Sequence, residues 1–263
     1  MRKPALRVRS ILIAASLLVL TPVQALDLGG LVNKLEKLEG VQAASAPVET
    51  PGVSPTALEG ISNKDQVGSL KQALTQGAAA AVAGLAKADG FLGNDKVRIP
   101  LPESLKKLES ALRKFGMGKY ADELITTMNR AAETAVVEAK PLLISAVSKM
   151  TVADAKGILL GGNDAATQYF RKNTETALGV KFKPVVSKSM KKVKFADKYD
   201  QFAGKAARLG LVDEKDANLD DYITRKAMDG LFLMMAEQEK SLREHPLEAV
   251  GSMAKKVFSL LRN

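Results

Sequence analysis

The chain has no cysteine, no tryptophan and one histidine, and only 5% of its 263 residues are aromatic. Without cysteine there is no disulfide, no thiolate nucleophile and no thiolate metal ligand. The single histidine cannot build a His-rich zinc site within one chain, and a Ser-His-Asp triad would have to use it. That residue, His245, stands directly before Pro246 in a polar stretch that reads as a helix exit. A core poor in rings must be filled by Leu, Ile, Val, Met and Ala, a palette that favours helices. Long apolar runs are also missing. The stretch from Ile11 to Leu20 is about half of the roughly 20 residues a bilayer-spanning helix needs.

That short run has a specific setting. Arg2, Lys3, Arg7 and Arg9 precede it and Val23-Gln24-Ala25 follows, the order of a basic start, an apolar middle and a small-residue cleavage site in a bacterial export signal. Residues 1–25 are therefore expected to be a cleaved signal peptide, with the mature chain starting at Leu26 in the periplasm. No cysteine follows the cleavage site to carry a lipid. The formal charge of +10 suggests a polyanion partner, yet four of those charges lie in the leader. An exported chain meets anionic lipid, lipopolysaccharide and cell-wall polymer rather than nucleic acid, so nucleic-acid binding is not expected.

Residues 26–60 read as a short amphipathic helix followed by a linker. Leu28, Leu31, Leu35 and Leu38 recur at helical spacing, and Gly40 to Gly60 turns to Ala, Ser and Gly with Pro47, Pro51 and Pro55. Residues 61–263 read as one all-α domain, a multi-helix bundle with one short extended Pro-containing segment. Ser62-Asn-Lys-Asp65 opens an alanine-rich helix that runs to about Lys87, and Asp89-Gly90 ends it. In the stretch Phe91 to Pro102, Val97, Ile99 and Leu101 alternate with Lys96, Arg98 and Pro100, which predicts extended chain. Glu103 to Phe115 is a helix stopped by Gly116-Met117-Gly118. The stripe Leu124, Met128, Ala131, Ala135, Ala139, Leu142, Ala146 and Met150 predicts two helices or one bent near Lys140 by Pro141. Thr151 to Asp154 opens a short helix that Gly161-Gly162 ends. A helix capped by Asn163 or Asp164 follows, and then a basic helix from Pro184 to about Phe195. Further helices are expected over Lys198–Leu209, Leu219–Glu244 and Leu247–Leu261, with Leu231 to Ala236 as core.

Chemistry-bearing patterns are sparse. Ser-x-x-Lys occurs at Ser104, Ser189 and Ser252, but the partner motifs of the penicillin-binding proteins are missing. Glu103-Ser104 stands where a helical glycan-cleaving enzyme could carry a lone acid. Asp216-x-Asn218-x-Asp220 has the first spacings of a calcium loop, but Asp221 and Ala227 stand where glycine and glutamate belong, so Asn218 is read as a helix cap. Gly161-Gly162-Asn163-Asp164 before a helix could cradle a phosphate, or serve as one helix end followed by the next cap. In the basic helix, Lys188, Lys191, Lys192 and Lys194 lie opposite Val185, Val186, Met190 and Val193. This is a possible anionic-surface patch, or a core helix with a solvated face. No metal ligand set and no cofactor motif is read.

Three segments resemble the hallmarks of a family of exported proteobacterial proteins known as domain of unknown function 4197. They are Asp89-Gly-Phe-Leu-Gly-Asn-Asp-Lys-Val-Arg-Ile-Pro-Leu-Pro102, Ala155-Lys-Gly-Ile-Leu-Leu-Gly-Gly-Asn-Asp-Ala-Ala-Thr-Gln-Tyr-Phe170 and Leu219-Asp-Asp-Tyr-Ile-Thr-Arg-Lys-Ala-Met-Asp-Gly-Leu-Phe232. The resemblance runs from about Ile61 to Leu261. It implies a helical envelope protein of a Gram-negative bacterium and lends no activity, cofactor or catalytic residue. The first two segments each give up regular hydrogen bonding. They are expected to meet, with Arg98 pairing Asp164 beside Thr167, Gln168 and Tyr169, as a structural lock or a ligand cleft.

The reading that follows is a non-catalytic periplasmic binding or envelope-support protein, partnered by an envelope protein or an anionic envelope component and without a transmembrane span once processed. The alternatives are a carboxylate-dependent enzyme acting on cell-wall polymer, and membrane-surface binding through the basic helix 184–195.

Overall fold

The computed structural model describes residues 62–192, 199–200, 208, 213, 216–245 and 255. The leader, the Leu28–Leu38 helix, the proline-rich linker, Lys194, most of Lys198–Leu209 and nearly all of Leu247–Leu261 lie outside the described residues. What is described is helical, with no strand: α1 Asn63–Ala86, α2 Glu103–Lys114, α3 Gly118–Ala135, a 3-10 turn Val136–Glu138, α4 Ala139–Lys149, α5 Val152–Leu159, α6 Ala165–Met190 and α7 Leu219–Glu244.

Helix ends follow local chemistry. Ser62 Oγ accepts from the Asp65 amide at 3.1 Å, opening α1. Thr151 and Asp154 form a reciprocal box at the start of α5: Thr151 Oγ1 accepts from the Asp154 amide and the Asp154 carboxylate accepts from the Thr151 amide. The hydroxyl and amide of Thr151 hold the Asp154 carboxyl below its ordinary range. Asn218 Oδ1 accepts from the Asp221 amide at 3.0 Å, which makes it the cap of α7. At the end of α2, Gly116 has φ +72°; its amide donates to Arg113 O and that of Met117 to Leu112 O, a Schellman closure that needs the left-handed residue in the middle. Pro141 has no amide for the carbonyl of Val137, and the chain tightens into the 3-10 turn Val136–Glu138. The break therefore lies one turn earlier than Lys140.

Pro184 does not begin a helix. It lies inside α6, which continues from Ala165 to Met190 with Phe182 and Val186 fully buried on either side of it. The interior proline is exposed, so the face that loses a hydrogen bond is the one water can reach.

The two long helices α6 and α7 share the most extensive interface, α3 packs against α6, and α1 against α4 and α7. Ala131, Ala132, Ala135 and Ala139 are wholly buried, and such small side chains let helix backbones approach closely. The larger core residues are Phe91, Phe170, Phe182, Phe232, Met128 and Leu178; burying each is worth about 1.5–3 kcal/mol relative to exposure. Leu231, Phe232 and Met235 belong to this core, whereas Leu233 of the same run is exposed. No helix among the described residues is long and apolar enough to cross a membrane.

Candidate functional site

The stretch between α1 and α2 runs without regular structure through the bundle, with Val97, Ile99 and Leu101 pointing inward and Lys96, Arg98 and Pro100 outward. Burying such chain would leave backbone groups unpaired. Asn129, fully buried on α3, pairs them: its Oδ1 accepts from Ile99 N at 2.8 Å and its Nδ2 donates to Ile99 O at 2.9 Å. One side-chain amide thus does what a neighbouring strand would do. Tyr222 of α7 donates its hydroxyl to Pro100 O at 3.1 Å. One turn along α3 from Asn129, buried Glu133 accepts from the amides of Phe91 and Leu92 at 3.1 and 3.2 Å. Arg130 binds Glu133 at 2.7 Å and also Asp89 at 2.8 Å, holding Asp89 at φ +64°.

A second buried carboxylate closes the start of α6. Glu239, from α7, accepts from the amides of Ala166 and Thr167 at 2.9 Å each and from the Thr167 hydroxyl at 3.0 Å. Arg243, one turn along α7, pairs with Glu239 at 2.9 Å and donates to Ile158 O at 2.8 Å, tying the end of α5 to the same point. The positive end of the helix dipole therefore already holds an anion, one supplied by the chain. Gly161-Gly162-Asn163-Asp164 is not a vacant phosphate cradle. The Asp164 side chain does not cap the helix either; it accepts from Gln168 Nε2 at 3.0 Å.

A third carboxylate, Asp200, accepts from the Leu219 amide and from Asn218 Nδ2, both at 2.9 Å. Beside it the Tyr199 hydroxyl lies 2.7 Å from Ser104 Oγ and donates to Asp216 O at 2.8 Å, while Asp216 pairs with Arg225 at 2.5 Å. Burial, with the negative charge of Asp216 behind it, pushes the Tyr222 hydroxyl up to about 12; burial also raises Tyr199.

The expected Arg98–Asp164 pair is not made. Arg98 follows the alternation of its segment and is exposed, and Asp164 is turned to its own helix by Gln168. Thr167 is engaged by Glu239, Gln168 is exposed, and Tyr169 donates to Ala146 O at 2.9 Å. Of the five expected ligand-binding residues, Thr167 borders a small apolar opening beside Glu239, and Tyr169 lines a larger one. This is a cleft of about 280 Å³ between α4 and α6, whose other polar groups include Ser145, Lys149 and Asn173. Burial, and then the charge of Asp154, raises the Tyr169 hydroxyl. Of the basic patch, Lys188, Lys191 and Lys192 are exposed, but the apolar side of the same helix, Val186 and Met190, is inside the core. Glu103 is also on the surface, its side chain 81% exposed and paired with Lys106.

Asn129, Glu133, Glu239 and Arg243 are the residues that sequence reasoning missed. Their signal was a polar residue on an apolar stripe: Ile125, Asn129 and Ala132 on α3, and Phe232, Met235 and Glu239 on α7, follow helical spacing.

The three segments singled out in the sequence all pack on or belong to α7. The first meets the third at Tyr222–Pro100, and again where Phe91 packs against Gly230. The second is tied to the helix that carries the third, α7, through the amides of Ala166 and Thr167 on Glu239, and Arg171, directly after the second segment, lies 4.5 Å over the Phe232 ring and 3.4 Å from Asp229. No curated protein and no solved structure matches the chain. The model of one family does, over residues 60–259, a span that takes in all three segments, and the chain belongs to that family, described as protein of unknown function (DUF4197).

Proposed function

We propose that this protein is an exported helical protein of the bacterial envelope that works by binding through its surface, and that its signature segments hold it in shape rather than perform a reaction. The observation that carries this reading is the engagement of Glu133, Glu239 and Asn129: their side chains accept from or donate to the chain's own backbone in places that would otherwise be unpaired. A carboxylate fixed by two amides and an arginine is held as an acceptor, which suits a lock better than a proton-transfer group. The periplasmic address rests on the basic, apolar and small-residue pattern of residues 1–25.

The test is crosslinking in intact cells followed by mass spectrometry, together with the N-terminal sequence of the form recovered from the envelope. The expected result is a chain beginning at Leu26, crosslinked to an envelope protein or polymer through surface lysines. An unprocessed chain in the cytosol would overturn the address. Release of soluble fragments from peptidoglycan by the purified protein, abolished by Glu239→Gln in a variant that remains folded, would overturn the non-catalytic reading.

A further inference from the structure

The turn between α2 and α3 exposes what this fold elsewhere hides. Seven large apolar side chains are exposed among the described residues, and three of them fall within six positions: Phe115 at 77%, Tyr120 at 56% and Met117 at 43%. Each is at the tip of a helical hairpin. Behind it Arg113 pairs with Glu109 of its own helix at 2.9 Å and with Asp122 of α3 at 2.6 Å, clamping the two helices together.

We propose that this tip, residues 113–120, is a membrane-docking element that inserts Phe115, Met117 and Tyr120 into the interface of an anionic phospholipid surface. Two observations select lipid over a protein partner. The first is charge: Lys114 and Lys119 flank the apolar residues, are exposed, and form no ion pair among the described residues, with the Lys119 ammonium 5.3 Å from the Tyr120 ring. Lysine is depleted from the cores of protein interfaces, whereas aromatic residues ringed by lysine suit the boundary between acyl chains and anionic headgroups. The second is the backbone. The amides of Phe115, Gly116, Met117 and Tyr120 all donate to carbonyls within the hairpin, so headgroups can replace water around those four without stranding them. The lysine-bearing part of α6 has no comparable apolar partner, because Val186 and Met190 are buried. This inference concerns purified protein and lipid and does not rest on the export address.

The chain has no tryptophan, so Phe115→Trp in the protein as cells produce it is a reporter with no background. The expected result, with vesicles of phosphatidylcholine and phosphatidylglycerol in equal parts, is a blue shift of emission and quenching by bromine-labelled acyl chains. Replacing Lys114 and Lys119 by Gln weakens that response by at least about tenfold. Met117→Ser with Tyr120→Ser weakens it by about tenfold, whereas Lys188→Gln, Lys191→Gln and Lys192→Gln together leave it unchanged. These positions are at the surface, and an unchanged helical circular dichroism spectrum checks that each variant folds. Emission unaffected by vesicles would overturn the proposal, as would vesicle binding without quenching at position 115. A blue shift that grows with protein concentration in the absence of lipid would overturn it in favour of a second copy of the chain.

Discussion

Glu239 and Asn129 show how much of this fold rests on single polar atoms placed in apolar surroundings. Each satisfies groups contributed by a different part of the chain, so truncation removes a partner and leaves several buried donors or acceptors unpaired. Glu239→Ala strands the amides of Ala166 and Thr167 and leaves the Arg243 guanidinium, whose side chain is only 10% exposed, with Ile158 O but without its counter-charge. The expected loss is about 3 kcal/mol of unfolding free energy, read as a lower urea midpoint, with Glu239→Gln in between because an amide offers one acceptor where a carboxylate offers two. Asn129→Ala is expected to lose about 2–4 kcal/mol, since Ile99 N and Ile99 O both lose their partner in a site with no access to water. Stability unchanged by Glu239→Ala would mean that the carboxylate is not a lock.

At the level of elements, the fit between α7 and the extended segment turns on Gly230. A methyl group at that position would lie 2.8 Å from Phe91 Cε1 and 3.3 Å from Val97 Cβ, and Phe91 is fully buried and cannot swing away. Gly230→Ala is therefore expected to destabilise by about 1–3 kcal/mol through overpacking, measured by denaturant unfolding, even though alanine is the better helix former. Gly230 is invisible to periodicity, because nothing in a helical repeat announces what crosses the helix. The same limit separates what could be read from what could not. Helix starts at Ser62, Thr151 and Asn218, the stop at Gly116 and the alternation of Val97, Ile99 and Leu101 are local and were legible. Glu239 capping α6 joins residues more than seventy positions apart, and no local pattern identifies which amides a buried carboxylate will find. The Arg98–Asp164 expectation failed for the same reason: the two segments do cost regular hydrogen bonds, but each is repaired by its own buried side chain, Asn129 for one and Glu239 for the other. Pro184 misled because a proline that suits a helix start is also tolerated inside a long helix when its ring faces water.

For the molecule as a whole, the tyrosine cluster joining α2, the extended segment and α7 sets a limit on alkaline stability. Tyr222 is 4% exposed, donates to Pro100 O and is pushed up to about 12, first by burial and then by the charge of Asp216. In the unfolded chain it ionises near its ordinary value of 10.0. Below that value both states hold the proton and the stabilisation is complete. As pH rises from there to about 12, the unfolded chain releases a proton that the folded one keeps, so stability falls by up to about 1.4 kcal/mol per pH unit for this group. Ionisation in place would put a phenolate against a carbonyl oxygen and near a carboxylate, so the fold cannot follow without opening where the three elements meet. Tyr199, raised in the same direction, adds to the slope. Tyr222→Phe keeps the ring and loses the hydrogen bond to Pro100, so it is expected to start about 1 kcal/mol less stable at neutral pH and to lose less thereafter. Urea midpoints measured from neutral pH to about 12 test this: the curves for the parent and for Tyr222→Phe should converge as pH rises. Parallel curves would show that Tyr222 titrates alike in both states, and that the cluster does not hold its hydroxyl protonated.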